Sequence, residues 1–322
     1  MVLILKESDV NDLLDMKSAI SCLETAFREQ SEKRFLLPER QVFQATDQAI
    51  VRVMAASIAN LQSLGLKVLL GVPARRRPDL TYFVILLFSP IDASLLSIIP
   101  AGRLTQLRTG AASGVATKYL ARQGVSSVGI LGAGVQGYGQ LEGLAATAKV
   151  QEAIVFDVDS SRMDALATKA ESELGISVKA AHMVEELYTT DVLCTATTST
   201  KPLIFGEKLR AGTHLNAVGS NAPNRQEIDH TVLLKCRVFT DKTEQVLKES
   251  GDLTVPINQG LYNPKSIVGE MADVITGKLQ GRMGESDITL FKSVGIALED
   301  VAVARAVYDI ALRRGAGEDF VF

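Results

Sequence analysis

The stretch that decides the fold is Val128–Gly137, which reads VGILGAGVQG. An apolar run leads into three glycines with GxGxxG spacing, and a helical pattern, VQGYGQLEGLAATAK, follows at once. The spacing alone is unspecific, but between a strand and a helix it is typical of a dinucleotide-binding turn. There Gly132 permits the tight turn, Gly134 lets the backbone approach the pyrophosphate, and Gly137 allows close packing of helix on strand. The free N–H groups of the helix N-terminus favour phosphate.

An acidic residue stands at the end of the next predicted strand. Asp157 closes EAIVFD, about twenty residues beyond Gly137, as dinucleotide-binding folds require. A carboxylate there accepts hydrogen bonds from the adenosine ribose and repels a 2′-phosphate. Arg162 lies close by in the sequence and can pair with such a phosphate, so NADP(H) stays the less favoured alternative. The sequence therefore predicts NAD(H) in preference to NADP(H), against the alternative of a glycine turn that binds nothing.

The alternation of strand and helix patterns continues beyond this motif. SSRMDALATKAESEL reads as a helix, and DVLCTATT, THLNAVG and CRVFTD read as short strands, which predicts an α/β fold with a doubly wound parallel sheet. Residues 40–100 contain separate strand-like runs, such as QAIVRVMAA and LTYFVILLF, typical of another sheet. The apolar pattern of residues 295–314 predicts a long helix, which we expect to return to the first domain.

Composition excludes several classes of protein. The 322 residues are 47% hydrophobic with a net charge of -3, so we expect no nucleic-acid or membrane partner. Three widely spaced cysteines without metal-ligand spacing predict neither a disulfide framework nor a metal site, and favour a reducing compartment. The N-terminal residues do not resemble a secretory signal, so we expect a cytoplasmic protein. The basic run Arg75–Arg77 is typical of an exposed loop.

Three basic residues lie in apolar or small-residue surroundings: Arg40 in LLPERQ, Lys67 in LGLKVLLG and Arg108 in TQLRTGAASG. A charged side chain is costly to bury unless it is paired. Two arginines can bind a substrate carboxylate with bidentate hydrogen bonds, and a buried lysine can exchange a proton near neutral pH. The alternative is that each one reaches solvent or forms a structural ion pair.

A further small-residue segment, NAVGSNAP, follows a predicted strand at residues 216–223. It should lie at the carboxyl edge of the sheet, where ligands bind in open α/β folds. Asn221 can hydrogen-bond a substrate or a water there, although a neutral amide cannot act as a general base. We expect His214 to pack inside its strand. The chain contains no nucleophile elbow and no HExxH pattern, so hydrolase and metal chemistry are not favoured.

Four segments of the chain carry a further signal when they are taken together: LTQLRTGAASGVATKYLA (104–121), VGILGAGVQGYGQLE (128–142), HLNAVGSNAPNRQEID (214–229) and ITLFKSVGIALEDVAVARAVYD (288–309). They resemble the ornithine cyclodeaminase and mu-crystallin family, which also includes ketimine reductases and an archaeal type of alanine dehydrogenase. The resemblance implies a homodimer of chains with a Rossmann domain, here residues 116–297, and an α+β substrate-binding and dimerisation domain from both chain ends, here residues 1–115 and 298–322.

The resemblance also implies roles for individual residues. Arg40 and Arg108 match positions that bind the substrate carboxylate, and Lys67 matches one that faces the reacting carbon–nitrogen centre. Asp300 matches a recurring acid, for which we expect a structural role. The cofactor-binding residues predicted from the motif and the resemblance are Gly132, Gly134, Val135, Gln136, Gly137, Asp157, Val218, Val294 and Gly295.

Asn221 distinguishes between the activities found in this family. Cyclodeaminases and the archaeal alanine dehydrogenase carry an aspartate at this position, whereas ketimine reductases carry a neutral residue and share the run KESGD, here Lys248–Asp252. A missing carboxylate matters less when the substrate arrives as a preformed imine. We therefore predict NAD(P)H-dependent reduction of a small 2-imino acid to an L-amino acid, or the reverse dehydrogenation, with Lys67 and Asn221 as catalytic residues. The alternatives are a cyclodeaminase-type lyase that uses bound NAD catalytically and a non-catalytic, ligand-binding role.

Overall fold

The structure is a computed structural model that describes residues 1–46, 49–71 and 81–321. The basic run Arg75–Arg77 lies outside the described residues. The helices are α1 (Glu7–Leu13), α2 (Met16–Ser31), α3 (Gly102–Leu120), α4 (Val135–Thr147), α5 (Ser160–Leu174), α6 (His230–Lys235), α7 (Thr243–Glu249), α8 (Gly251–Asn258), α9 (Met271–Ile275) and α10 (Ala297–Arg314).

The strands are β1 (Val2–Ile4), β2 (Phe35–Leu36), β3 (Gln41–Thr46), β4 (Ala49–Ile58), β5 (Ser63–Gly71), β6 (Thr81–Phe88), β7 (Leu95–Pro100), β8 (Ser127–Leu131), β9 (Glu152–Phe156), β10 (Ser177–Ala180), β11 (Val192–Thr195), β12 (Thr200–Ile204), β13 (His214–Ala217), β14 (Gln226–Ile228), β15 (Arg237–Thr240), β16 (Gly269–Glu270), β17 (Thr289–Lys292) and β18 (Glu318–Phe320). Short 3-10 helices cover Val184–Thr189, Gly206–Lys208 and Pro264–Ser266. Among the described residues, no helix combines the length and the apolar character that a bilayer crossing requires.

The chain divides into two structural units. Unit 1 comprises Met1–Arg108 and Ile296–Phe322, and unit 2 comprises Thr109–Gly295. The first boundary therefore falls inside α3, because Arg108 ends unit 1 in the middle of that helix.

Unit 1 is built on a sheet of eight strands in the order β18-β1-β7-β6-β5-β4-β2, with β3 paired to β4. The two chain ends meet at one edge, where β1 pairs with β18 in antiparallel register. Helix α10 lies on β4, β5 and β6 and also contacts α2, as expected for the long C-terminal helix. The contact with β5 is close, because a Cβ atom at Gly65 would come within 2.7 Å of Val301.

Unit 2 contains a parallel sheet of eight strands in the order β10-β9-β8-β11-β13-β17-β15-β16. In chain order, β9 and β10 are added on one side of β8, and β11, β13 and the later strands are added on its other side. A topological switch point therefore lies between β8 and β11, where doubly wound folds bind dinucleotides. The predicted α/β class with a doubly wound parallel sheet is confirmed. The runs predicted as strands, VSSVGIL, EAIVFDV, DVLCTATT, THLNAVG and CRVFTD, contain β8, β9, β11, β13 and β15, which all belong to this sheet.

Candidate functional site

A buried cluster of opposite charges occupies unit 1. Lys67 lies in β5, is 2% exposed, and places its Nζ 2.7 Å from Oδ1 of Asp300 in the first turn of α10. Arg108, in α3, donates from Nε to the same oxygen over 3.0 Å and from Nη1 to Oε2 of Glu299 over 2.8 Å. Glu299 and Asp300 are fully buried. The neighbouring cations stabilise their negative charges, and so does the positive end of the α10 helix dipole.

Burial changes the proton affinity of Lys67. Removal from water lowers the pKa of Lys67 to about 8; Asp300 opposes this shift, whereas Arg108 and Arg40 add to it. Burial alone would raise the pKa of Asp300, but the neighbouring cations, Arg108 foremost, hold it below its usual value. The arrangement therefore keeps Asp300 ionised and lets Lys67 exchange a proton near neutral pH.

The three predicted basic residues lie close together in unit 1. Arg40, between β2 and β3, is half-buried, and its charge acts on both Lys67 and Asp300. Sequence reasoning did not pair Asp300 with Lys67, and it missed Glu299 altogether. The sequence did contain a signal for this pairing. Glu299 and Asp300 are adjacent acids inside an apolar helical run, and acids buried in such a run require cationic partners.

The glycine motif of unit 2 forms the predicted turn between β8 and α4. Gly132 has a φ of +100°, and its N–H donates to the carbonyl oxygen of Phe156 over 2.8 Å. A Cβ atom at Gly137 would lie 1.9 Å from the carbonyl oxygen of Gly132, so only glycine fits there. A Cβ atom at Gly134 would meet nothing within 4 Å. The backbone at Gly134 is thus open, as close approach of a pyrophosphate requires; Val135 and Gln136 follow in the first turn of α4.

Asp157 stands directly after β9, beside this turn. Its Oδ2 accepts a hydrogen bond from the N–H of Ala133 over 2.7 Å, and its Oδ1 accepts one from Asp159 over 3.0 Å. The carboxylate is half-buried and therefore remains accessible to a hydroxyl group. The open glycine backbone and the adjacent carboxylate fit the phosphate and ribose groups of NAD(H).

The segment after β13 contains Val218 and Asn221. Val218 is buried, whereas Asn221 is half-buried and accepts a hydrogen bond at Oδ1 from Nη1 of Arg225 over 3.0 Å. His214 is fully buried, with ring nitrogens 2.9 Å from Oγ1 of Thr289 and 3.2 Å from Oδ1 of Asn216, as its strand position predicts. Burial lowers the pKa of His214 to about 3, so it stays neutral. Sequence reasoning missed Arg225, which places a cation next to Asn221.

The segment after β17 contains Val294 and Gly295, which are both buried. Their N–H groups donate to Oδ2 of Asp241 over 2.9 and 2.8 Å. Because β13 and β17 are parallel neighbours, this segment and the one with Asn221 lie side by side at the carboxyl edge of the sheet. Unit 2 therefore brings the residues predicted to bind the cofactor to one edge of one sheet.

The run KESGD has a structural place in unit 2. Its last residue, Asp252, is fully buried and lies 3.0 Å from Nζ of Lys292. Oδ1 of Asp252 accepts hydrogen bonds from the N–H groups of Glu227 and Ile228, which fixes β14. Lys292 also donates to the carbonyl oxygen of Ala217, so it links the ends of β13 and β17.

Comparison with known proteins identifies the family. The model of the ornithine cyclodeaminase/mu-crystallin family matches residues 2–315. The chain belongs to this family. The resemblance found in the sequence is thereby confirmed, and the match covers most of unit 1 and all of unit 2.

Individual members of the family align along almost the whole chain. A Delta(1)-pyrroline-2-carboxylate reductase of Bacillus cereus is 32% identical over 100% of both chains, and an alanine dehydrogenase of Archaeoglobus fulgidus is 34% identical over 99% of this chain and 98% of its own. The structure of Thermococcus litoralis Delta(1)-pyrroline-2-carboxylate reductase in complex with NADH and L-proline superimposes with a TM-score of 0.96. It is 34% identical and covers 99% of this chain and 100% of its own. The reductases and the dehydrogenase are thus about equally similar to this chain.

Proposed function

We propose that this chain is an NAD(H)-dependent oxidoreductase that reduces a small 2-imino acid to an L-amino acid, and catalyses the reverse dehydrogenation. The observation that carries the proposal is the buried Lys67, with a pKa of about 8, between a carboxylate and two arginines. The reductase and dehydrogenase names of its relatives, and the NADH in one related structure, support the same chemistry.

Unit 2 holds the cofactor in this proposal. The open backbone at Gly134 receives the pyrophosphate, and Asp157 accepts hydrogen bonds from the ribose, which favours NAD(H) over NADP(H). When bound, NADH supplies the hydride that reduces the imine carbon. Val218, Val294 and Gly295, at the ends of β13 and β17, line the nicotinamide side of the edge.

Lys67 is the proton donor of the reduction in this proposal. Reduction adds a hydride to the imine carbon and a proton to the nitrogen, so one NADH and one proton are consumed for each amino acid formed. Nζ of Lys67 is protonated below a pH of about 8 and donates the proton, while Asp300 holds the ammonium in place. In the reverse direction, the neutral amine of Lys67 accepts a proton from the substrate.

The arginines bind the substrate carboxylate. Arg108 is fixed by bonds from Nε to Asp300 and from Nη1 to Glu299, so its guanidinium group needs no reorganisation when a substrate arrives. Arg40, Lys67 and Arg108 carry three positive charges against the two negative charges of Glu299 and Asp300. This group of cations favours a substrate that carries a carboxylate.

Asn221 favours a reductase over a cyclodeaminase-type lyase. Its amide cannot take a proton from an amine or a water, and its oxygen already accepts a hydrogen bond from Arg225. In this proposal, Asn221 hydrogen-bonds the substrate or an ordered water and leaves proton transfer to Lys67.

The unit 1 sheet supports a homodimer. Val53, Val68 and Val84 are paired across β4, β5 and β6 on the face opposite to Lys67, and all three are only half-buried. On the same face Phe43 is 52% exposed and Leu70 43% exposed. An apolar sheet face of this extent is typical of a surface that a second copy covers.

The deciding experiment follows NADH at 340 nm with the purified protein. We expect oxidation of NADH with Delta(1)-pyrroline-2-carboxylate, or with pyruvate plus ammonia, and much slower oxidation of NADPH. The Asp157→Ser variant tests the cofactor assignment, because loss of this carboxylate should reduce the preference for NADH over NADPH. If no imino acid is reduced, the proposal fails; release of ammonia from ornithine without a net change at 340 nm would identify a lyase instead.

A further inference from the structure

Two fully buried carboxylates lie behind the segments that follow β13 and β17. Oε2 of Glu227 accepts hydrogen bonds from the N–H groups of Gly219 at 2.8 Å and Ser220 at 3.2 Å, and from Oγ1 of Thr195 at 2.7 Å. Its Oε1 accepts a bond from the N–H of Thr197 over 2.6 Å. Glu227 therefore turns the backbone N–H groups beyond β13 towards the interior of unit 2.

Asp241 does the same for the neighbouring strand. It follows β15, and its Oδ2 accepts hydrogen bonds from Oγ of Ser293 at 2.8 Å and from the N–H groups of Val294 and Gly295. Its Oδ1 accepts one from the N–H of Lys242 over 2.7 Å. The N–H groups beyond β17 therefore also point inward.

Burial raises the pKa of both Glu227 and Asp241, whereas their hydrogen-bond donors favour the ionised form. Three backbone N–H groups donate to each carboxyl group, and such donors favour the carboxylate over the neutral acid. A third carboxylate, Asp252, is paired with Lys292.

The two halves of the carboxyl edge consequently differ in charge. At the β8 turn, the N-terminus of α4 directs free N–H groups outward, which suits an anionic pyrophosphate. At β13 and β17, four N–H groups are bound to buried carboxylates instead. A dinucleotide that crosses the edge at the switch point puts its adenosine half near β9 and its nicotinamide half near β13 and β17.

We propose that Glu227 and Asp241 are positioning residues that also favour the oxidised, positively charged nicotinamide over the neutral reduced ring. The inference rests on the proposed function, because it needs NAD(H) as the ligand of unit 2. Buried charges are weakly screened, so they act on a ring charge that NAD+ carries and NADH lacks. The pair therefore sets the ratio of the two dissociation constants, whereas a merely structural role would weaken the binding of both forms alike.

The test is an equilibrium titration of the whole protein with NADH by fluorescence and with NAD+ by calorimetry. In Asp241→Asn we expect the ratio of the NAD+ to the NADH dissociation constant to rise about three- to tenfold. The matched control is Asp287→Asn, before β17 at the opposite edge, where Asp287 also accepts N–H bonds, from Met283 and Gly284. This control should leave the ratio unchanged. A ratio in Asp241→Asn equal to the wild-type ratio overturns the inference.

Glu227→Gln is the second test variant. We expect the ratio of the NAD+ to the NADH dissociation constant to rise about three- to tenfold here too, and an unchanged ratio again overturns the inference. If both variants fail to fold, the wild-type protein still decides: NADH bound more than tenfold more tightly than NAD+ would overturn the inference, and a smaller preference supports it. The ratio does not depend on the substrate. A protein that binds both nucleotides but reduces no imino acid contradicts only the proposed reaction, whereas one that binds neither contradicts both proposals.

Discussion

In unit 1 the candidate site is formed by side chains from distant parts of the chain, whereas in unit 2 it is formed by the backbone of short segments. Lys67 and Asp300 are 233 positions apart, and Arg108 and Glu299 are 191 positions apart. By contrast, Gly132, Gly134 and Gly137 lie within one turn. The first site depends on charge and burial, and the second depends on the absence of side chains. Substitutions should therefore affect the two units in different ways.

The largest effect is expected from Lys67→Met. This variant removes the proposed proton donor but leaves Arg108 bonded to Asp300, so imine reduction should slow about a thousandfold, as for the loss of a general acid. NADH affinity should change less than about twofold, because the glycine turn in unit 2 is untouched. The turnover number is measured at 340 nm, and NADH binding is measured by fluorescence titration.

The matched control is Lys17→Met, which removes a lysine from the exposed face of α2 in the same unit. It should keep wild-type turnover. If Lys67→Met retained more than a tenth of the activity, another group would have to supply the proton, and the proposed role of Lys67 would be wrong.

This contrast explains which parts were predictable from sequence. The glycine turn, Asp157 and the long helix α10 are local features, because each is specified by residues close together in the chain. Their places in the fold agree with the prediction. The functional roles of the single residues stay predictions, since they depend on a bound cofactor and substrate.

The charge pairing of unit 1 was not predictable in the same way. LGLKVLLG shows that Lys67 is buried, but no local pattern specifies which carboxylate meets it, because strand register and helix packing decide that. The buried carboxylates of unit 2 were missed for another reason. Glu227 lies in the polar run NRQEID, and Asp241 ends the predicted strand CRVFTD directly before the polar run KTEQ, so both resemble exposed residues. β10 and β17 were not predicted either.

A smaller effect is expected from Gly134→Ala in unit 2. The added methyl group meets no protein atom within 4 Å, so the melting temperature should stay within about two degrees of the wild type. The methyl group instead occupies the space that the pyrophosphate needs, and NADH affinity should fall about ten- to thirtyfold. Calorimetry of the variant with and without NADH measures both quantities.

Gly284→Ala is the matched control, because a Cβ atom there also meets nothing within 4 Å, in a loop away from the turn. It should bind NADH as the wild type does. Gly137→Ala should behave differently from both, since its Cβ would collide with the Gly132 carbonyl oxygen and lower the melting temperature. Undiminished NADH affinity in Gly134→Ala would mean that the pyrophosphate does not approach the backbone at this glycine.

The smallest effect is the pH dependence of the reduction, which returns to unit 1. Burial lowers the pKa of Lys67 from 10.5 to about 8, so the ammonium form is dominant below pH 8 and is lost above it. Since reduction uses the ammonium form, kcat/KM should fall about fourfold between pH 7 and pH 8.5, whereas the rate of amino-acid oxidation should rise over the same interval. Lys67→Arg gives the sharpest comparison, because its side chain stays charged throughout and its slower reduction should not vary with pH in this range. If kcat/KM of Lys67→Arg fell by the same factor, the titrating group would be the substrate or another residue. Lys67 would then have only a structural role, as the partner of Asp300 in the buried ion pair.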